Sequence, residues 1–240
     1  MTRIAWSFSR LNDFEQCPRM FQGKYILKDF PKENFDSPHL LRGKRIHKEL
    51  EDAVAKGTPI HMSRMFLKPL VDAIRRQRVA IPEMQLCFDA RFGVRTWFDT
   101  KNAWVRMGLD MTTYNDETFI IVIDWKSGKV RRDSKDQLKL FAGGAFKKYP
   151  KAQKVLTAYV WTDHPLEPPL WAEYTRADDC DAIWLEFGDR AELIQLANES
   201  GNWPEKPTYK CMFCPAEVGQ CSEMTPELKE KRRDFEAKRG

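Results

Sequence analysis

The sequence predicts an α/β fold, a central mixed β-sheet with helices against it, and three observations carry that reading. Ile120-Ile121-Val122-Ile123 is apolar on both faces, as in a doubly buried central strand. Val105, Met107, Leu109 and Met111 alternate with Arg106, Gly108, Asp110 and Thr112, the period of a half-buried strand. Around these segments the order reads strand, strand, strand, helix, strand, strand, with helices at either end.

From the N-terminus, Ser7 and Ser9 offer capping hydroxyls to a helix striped by Leu11 and Phe14. Pro18 disfavours helical geometry at Cys17, so that cysteine should sit at a break before a second short helix reaching about Ile26. Residues 40–56 read as a helix with Ile46, Leu50, Ala53 and Val54 on its apolar face and Gly57 at its end. His47 shares a face of it with Gly43 and Glu51, one turn to either side. Residues 62–79 are amphipathic and read as a helix whose Arg75-Arg76-Gln77-Arg78 run is solvated charge. Strand spacing begins after Glu83, at Leu86 and Phe88, and Tyr114-Asn115-Asp116-Glu117 has turn composition.

Ser134-x-x-Gln137 is a capping-box signature for a helix packed through Leu138, Phe141, Ala142 and Ala145, with Gly143-Gly144 allowing close approach to the sheet. Strands over 155–161 and 170–175 follow. A helix over 182–200 is ended by Gly201, and a basic helix over 228–240 closes the chain.

At 240 residues, 42% hydrophobic and 31% charged, the chain can build one sizeable core. No apolar run approaches the roughly 20 residues of a membrane span. The first six residues lack a signal-peptide apolar region. The expectation is a cytoplasmic protein without a membrane partner. Forty basic against 35 acidic residues, net +5, permit an anionic partner without requiring one. Clustered cysteines in a reducing compartment point to metal, whereas the isolated Cys87 and Cys180 read as small buried apolar residues.

The chemistry gathers where the two central strands end. A turn centred near Asp116 or Glu117 sets Asp110 across from Asp124, and Asp124 and Lys126 share the strand face of Ile120 and Val122. Carboxylates about 5 Å apart across a strand pair repel. A divalent cation removes the objection, and hard oxygen ligands select Mg²⁺ or Mn²⁺. Lys126 beside it would polarise an attacking water or offset charge on a phosphoryl group. A slip of one residue would send Asp110 to the other face, and a solvated surface hairpin is the plain alternative. Farther on, Cys211-x-x-Cys214 followed by Cys221 aims three thiolates at one centre, and Cys17 is the available fourth. Both zinc and an iron–sulfur cluster take such a set.

Read in order, Ser7-x-Ser9-x-Leu11 with Cys17-Pro18-Arg19, Gly43-x-x-x-His47, Asp110, Asp124-x-Lys126 and the cysteine triplet resemble the PD-(D/E)XK nuclease superfamily. The likeness is to its RecB-like exonuclease branch, in the AddB-type and CRISPR-associated forms that carry an iron–sulfur staple, and it spans nearly the whole chain. It implies a restriction-endonuclease-like core, plus an iron–sulfur clip joining the N-terminal helix to the C-terminal segment. The single nuclease domain would comprise an N-terminal helical segment (1–35), a catalytic core (36–200) and a cysteine-bearing, basic tail (201–240).

The resemblance implies Mg²⁺ or Mn²⁺ held by His47, Asp110, Asp124 and the Trp125 carbonyl, with the imidazole tilting preference toward Mn²⁺. An acid near Glu83 joins the shell in some relatives. Lys126 is the implied catalytic lysine and Gln137 its support. Phe141 stands where the family's Gln-x-x-x-Tyr motif has tyrosine, so that hydroxyl is missing. Cys17, Cys211, Cys214 and Cys221 would hold a [4Fe–4S] cluster, with zinc the alternative on spacing.

The implied activity is hydrolysis of DNA phosphodiesters, by an exonuclease on single-stranded ends in recombination, repair or processing. DNA is the implied partner, with a helicase, a recombination or CRISPR-adaptation protein, or a second copy of the chain beside it. The rivals are a non-catalytic nucleic-acid-binding metal-cluster module and an accessory subunit of a helicase–nuclease assembly. Trp97, Trp104 and Trp125 are candidates for stacking on bases, against a core role for each.

Overall fold

The computed structural model describes residues 3–31, 38–132 and 134–237. The expected boundary between residues 35 and 36, and the last three residues of the expected C-terminal helix, lie outside them. Of the described residues, 3–5 and 38–188 form one compact unit, and 6–31 with 189–237 form another.

The first unit is built on a six-stranded sheet: β1 (Val79–Phe88), β2 (Val94–Arg95), β3 (Val105–Tyr114), β4 (Phe119–Lys126), β5 (Lys154–Trp161) and β6 (Leu170–Thr175). The order is β2-β1-β3-β4-β5-β6. Only β4 and β5 run parallel among neighbouring pairs. That pair needs a crossover, and the helix Asp136–Lys148 supplies it. A mixed sheet flanked by helices is an α/β fold consistent with a restriction-endonuclease-like core.

Helices Pro38–Lys56 and Lys68–Arg75 cover one face, burying Ile46, Leu50, Val54, Val71 and Ile74 against Met111, Ile123, Trp125, Ala158 and Val160. The alternate residues of β5, Tyr159 and Trp161, bury against Leu138 of the crossover helix. In chain order the helices are α1 (Phe8–Gln16), α2 (Pro18–Phe21), α3 (Pro38–Lys56), α4 (Lys68–Arg75), α5 (Asp136–Lys148), α6 (Arg176–Ser200) and α7 (Pro226–Ala237).

Several boundaries differ from the sequence reading, each for a local reason. Met62–Leu67 is a 3₁₀ turn and α4 a separate short helix, because Pro69 starts a new helix in its first turn. The expected helix over 62–79 therefore ends at Arg75, and β1 begins at Val79, so Glu83 lies inside the strand rather than before it. Arg75 donates to the Ala53 carbonyl, a structural role. Helix α6 starts six residues earlier than expected. Thr175 Oγ1 accepts from the Asp178 amide, and Asp179 accepts from the Thr175 amide, a polar start with no apolar period to reveal it. A Cβ on Gly144 would come 2.8 Å from the Met107 sulfur of β3, but one on Gly143 would meet Ile183 of α6 at 2.7 Å. Only the second glycine of the pair serves the sheet.

In the second unit Cys17 is extended (φ −163°, ψ 109°) between α1 and α2, the break that Pro18 predicts. Helix α2 runs on into a π-helical turn, Gln22–Leu27. Phe21 stacks on Trp203 with ring centroids 5.9 Å apart. Among the described residues no helix is long and apolar enough to cross a membrane.

Candidate metal site

Register builds the site. Strands β1 and β3 pair with Pro82 opposite Met111 and Met84 opposite Leu109, so Glu83 falls opposite Asp110. Strands β3 and β4 pair with Met111 opposite Ile123, and the same register carried one step on sets Asp110 opposite Asp124. Glu83, Asp110 and Asp124 thus occupy one row across three neighbouring strands. The backbone ladder is missing at that row on both sides. Glu83 adopts φ +50°, a left-handed conformation that costs a non-glycine residue about 1–3 kcal/mol. On the other side, Asp110 Oδ2 takes the Trp125 amide at 2.7 Å, a side chain standing in for the lost strand pairing.

From α3, His47 Nδ1 lies 3.5 Å from Asp110 Oδ1. His47, Glu83 and Asp110 each offer a ligand atom, all within 4.8 Å of one another. One imidazole and two carboxylates at that spacing can hold a divalent cation. Asp124 lies outside that trio but next to it in the row, 4% exposed. Its Oδ2 is buried without a hydrogen-bond partner, although Lys126 Nζ stands 2.5 Å away. The donor set fits Mg²⁺ or Mn²⁺.

The electrostatics reflect buried, crowded carboxylates, with Lys126 pulling against burial at Asp124. Burial, with Asp110 adding to it, pushes the Asp124 carboxyl up to about 6. Burial and then Asp110 also raise Glu83, and the hydrogen bond to Asp110 raises His47.

Lys126 has three neighbours. It donates to Gln137 Oε1 at 2.9 Å, meets Asp124, and lies 4.8 Å from the Tyr159 ring centroid. The capping box read at Ser134 and Gln137 does not form. Ser134 Oγ accepts from the Asp136 amide instead, which frees Gln137 to turn toward the lysine. Tyr159, opposite Asp124 on β5, puts an aromatic ring beside the lysine, while Phe141 is buried.

Helix α3 and the turn after Lys126 are tied together. Arg42 donates to both Asp163 oxygens at 2.7 Å, and Asp163 Oδ2 also accepts the Gly128 amide at 3.1 Å. A Cβ on Gly43 would come 3.3 Å from Ser127 Oγ, so the glycine lets the helix approach that turn. His47, Glu83, Gly43 and Ser127 help line an open cleft of about 530 Å³.

Trp104 and Trp125 are core residues, 5% and 2% exposed, which removes both side chains from the stacking candidates. Trp97 is half-buried, and its neighbour Phe98 is the exposed ring. Glu83 is the residue least legible beforehand. The signal was Pro82, which removes a ladder donor just before an acid. Glu83→Gln should raise the Mn²⁺ concentration for half-saturation by about tenfold or more, the usual cost of weakening a ligand set. Titration of Mn²⁺ binding measures it, and an unchanged midpoint would remove Glu83 from the shell.

In the second unit, Cys17, Cys211, Cys214 and Cys221 line a single cavity with Met20 and Met224. All six cysteines are free thiols, and Cys87 and Cys180 are buried elsewhere. Burial raises the Cys214 thiol, and the other three thiols add to the effect. The Thr208 amide donates to Cys211 Sγ at 3.4 Å. Among the described residues no three of these sulfurs come within 4.8 Å of one another. A closed zinc shell would hold them about 3.8 Å apart, from its Zn–S length of about 2.3 Å.

Topology and site define an α/β fold with a candidate divalent-metal site. No family model and no curated protein matches the sequence. Among solved structures, the crystal structure of SSO0001 aligns at a TM-score of 0.48 with 16% identity, covering 92% of this chain and 87% of that one. A protein of Eubacterium rectale named for a candidate exonuclease aligns at 0.47 with 12% identity, covering 88% and 86%. Likeness at this level carries no functional argument, which falls to the residues.

Proposed function

We propose that this chain is a divalent-metal-dependent deoxyribonuclease, acting as an exonuclease on single-stranded DNA ends. The observation that carries the reading is the row Glu83, Asp110 and Asp124, with His47 on one side and Lys126 on the other. Three acids in a strained, unpaired row oppose folding, and a bound cation relieves that opposition. When bound, Mg²⁺ or Mn²⁺ would supply charge neutralisation at a phosphodiester and a more acidic water. His47, Glu83, Asp110 and Asp124, with the Trp125 carbonyl, would hold it. Lys126, oriented by Gln137 and Asp124, would donate toward the phosphoryl oxygen or the attacking water as negative charge grows.

Cleavage of end-labelled single- and double-stranded DNA, linear and circular, with added Mn²⁺ tests the reading. Loss of single-stranded linear DNA from its ends is expected. Cutting in EDTA would overturn the metal, and tight DNA binding without cutting would favour a non-catalytic binding module.

For the cysteine cavity we propose a [4Fe–4S] cluster, supported by four thiols that line one space. Anaerobically purified protein should be brown with about four irons. Cys17→Ala should bleach it and expose the C-terminal segment to protease, since metal binding couples to folding. Cys87→Ala and Cys180→Ala should do neither. Colourless protein with one zinc would replace the cluster by zinc. A Cys17→Ala protein with full metal content would remove Cys17 from the ligands.

A further inference from the structure

The last registered pair of the parallel strands is Lys126 opposite Trp161, and the Thr162 amide donates once more to the Lys126 carbonyl at 2.9 Å. Thr162 is fully buried, and its hydroxyl lies 3.4 Å from the same carbonyl. There the ladder stops and side chains continue it. Asp163 Oδ2 accepts the Gly128 amide at 3.1 Å, and His164 Nε2 lies 2.6 Å from the Gly128 carbonyl. A carbonyl only accepts, so that ring nitrogen donates. Gly128 sits at φ +96°, a bend that glycine takes readily, and three successive residues after β5 hold it in place behind the lysine.

The carboxylate in the middle of that segment also reaches the helix. Arg42 donates to both Asp163 oxygens at 2.7 Å, a planar fork that fixes distance and orientation together. Asp163 is the buried partner, 16% exposed against 48% for the arginine. Arg42 precedes His47 by about a turn and a half of α3. We infer that Asp163 is a positioning residue for the candidate site: through Arg42 it sets where α3 holds His47, and through the Gly128 amide it sets where β4 ends in Lys126. One side chain outside the ligand set ties the imidazole on one side of the acidic row to the lysine on the other. The lysine arm rests on the nuclease reading and deepens it, whereas the helix arm rests on the metal site alone.

The test uses the full chain and two readouts that need no DNA: Mn²⁺ titration, and exchange of the Gly128 amide followed by NMR in EDTA. Asp163→Ala should raise the Mn²⁺ midpoint about tenfold, as loss of a group that orients a ligand does, and speed Gly128 exchange at least about tenfold. Arg42→Ala removes only the helix arm. The Mn²⁺ midpoint should rise while Gly128 stays protected, since Asp163 still accepts its amide. Asp163→Asn keeps an acceptor for the amide and loses the ionic fork, so it should behave like Arg42→Ala, and it carries the test if Asp163→Ala does not fold. Lys154→Ala breaks an exposed pair with Glu173 on the sheet and should move neither readout. An unchanged Mn²⁺ midpoint in Arg42→Ala and Asp163→Asn, an equal rise in Lys154→Ala, or unchanged Gly128 exchange in a folded Asp163→Ala would each overturn the positioning role. Cleavage at saturating Mn²⁺ is scored separately, with Asp163→Ala expected to be slowed severalfold more than Arg42→Ala. A wild-type protein that binds Mn²⁺ without cutting DNA would end the nuclease reading and leave the role of Asp163 to the titration and the exchange.

Discussion

Lys126→Ala should lower the rate of DNA cleavage at least about a hundredfold while leaving the fold and Mn²⁺ binding in place. The ammonium is not a ligand, and its two polar partners, Gln137 and Asp124, hold it where charge would build on a phosphoryl group. Removing one preorganised donor of this kind typically costs about 10²–10³ in turnover. Since the lysine is half-exposed and adds little packing, its loss should scarcely move the melting temperature. Gln137→Ala frees one side of the same ammonium and should give a smaller loss in the same direction. The comparison is made on single-stranded DNA at saturating Mn²⁺, by initial rate. A Lys126→Ala protein that cuts at the wild-type rate would leave the row of acids as a metal site without this chemistry.

Metal-free protein should lose stability relative to an Asp124→Asn variant as pH rises from about 4 through 6, and Mn²⁺ should reverse that trend. Asp124 is held up to about 6, mainly by burial, so the folded chain keeps a proton that the unfolded chain releases near 4. His47, raised mainly by its bond to Asp110, acts in the same sense. Its contribution is complete below its unfolded value near 6.5 and is lost as pH climbs through the raised one.

Carboxylates elsewhere run the opposite way, such as Asp163, depressed by Arg42, so the difference between the two proteins isolates the site. For Asp124 that difference is on the order of 2–3 kcal/mol. A cation needs ionised carboxylates and a neutral imidazole, so it binds more tightly as pH rises, and at a hundred times its Kd adds about 2.7 kcal/mol. Melting curves in EDTA and in Mn²⁺ across pH 4–8 make the measurement. Parallel curves for the two proteins in EDTA would show that Asp124 is not the stressed group.

Local patterning already contained β3 to β6, but not β2 or the first half of β1. The double-sided apolar run before Asp124, the alternation through Asp110 and the turn composition between them pointed to a hairpin centred near Glu117 but left a one-residue slip open, which the observed β3–β4 register closes. The Cys17 corner was equally legible, because proline acts on its own neighbour. The start of α6 and the split before α4 were not, since polar caps and 3₁₀ turns leave no hydrophobic period.

Local pattern alone was enough for the central strands and for the residue types that could carry chemistry. Only the tertiary structure decided how they combine. Glu83 joins because the β1–β3 register, a pairing across some thirty residues with no short turn to set it, brings it opposite Asp110. Gln137 turns from helix cap to lysine partner because the crossover after β4 carries α5 back over the strand end. Trp104 and Trp125 leave the surface because burial belongs to the packed sheet, not to the residue type. Each of these depends on contacts between segments far apart in the chain, where local propensity is silent and packing sets the outcome.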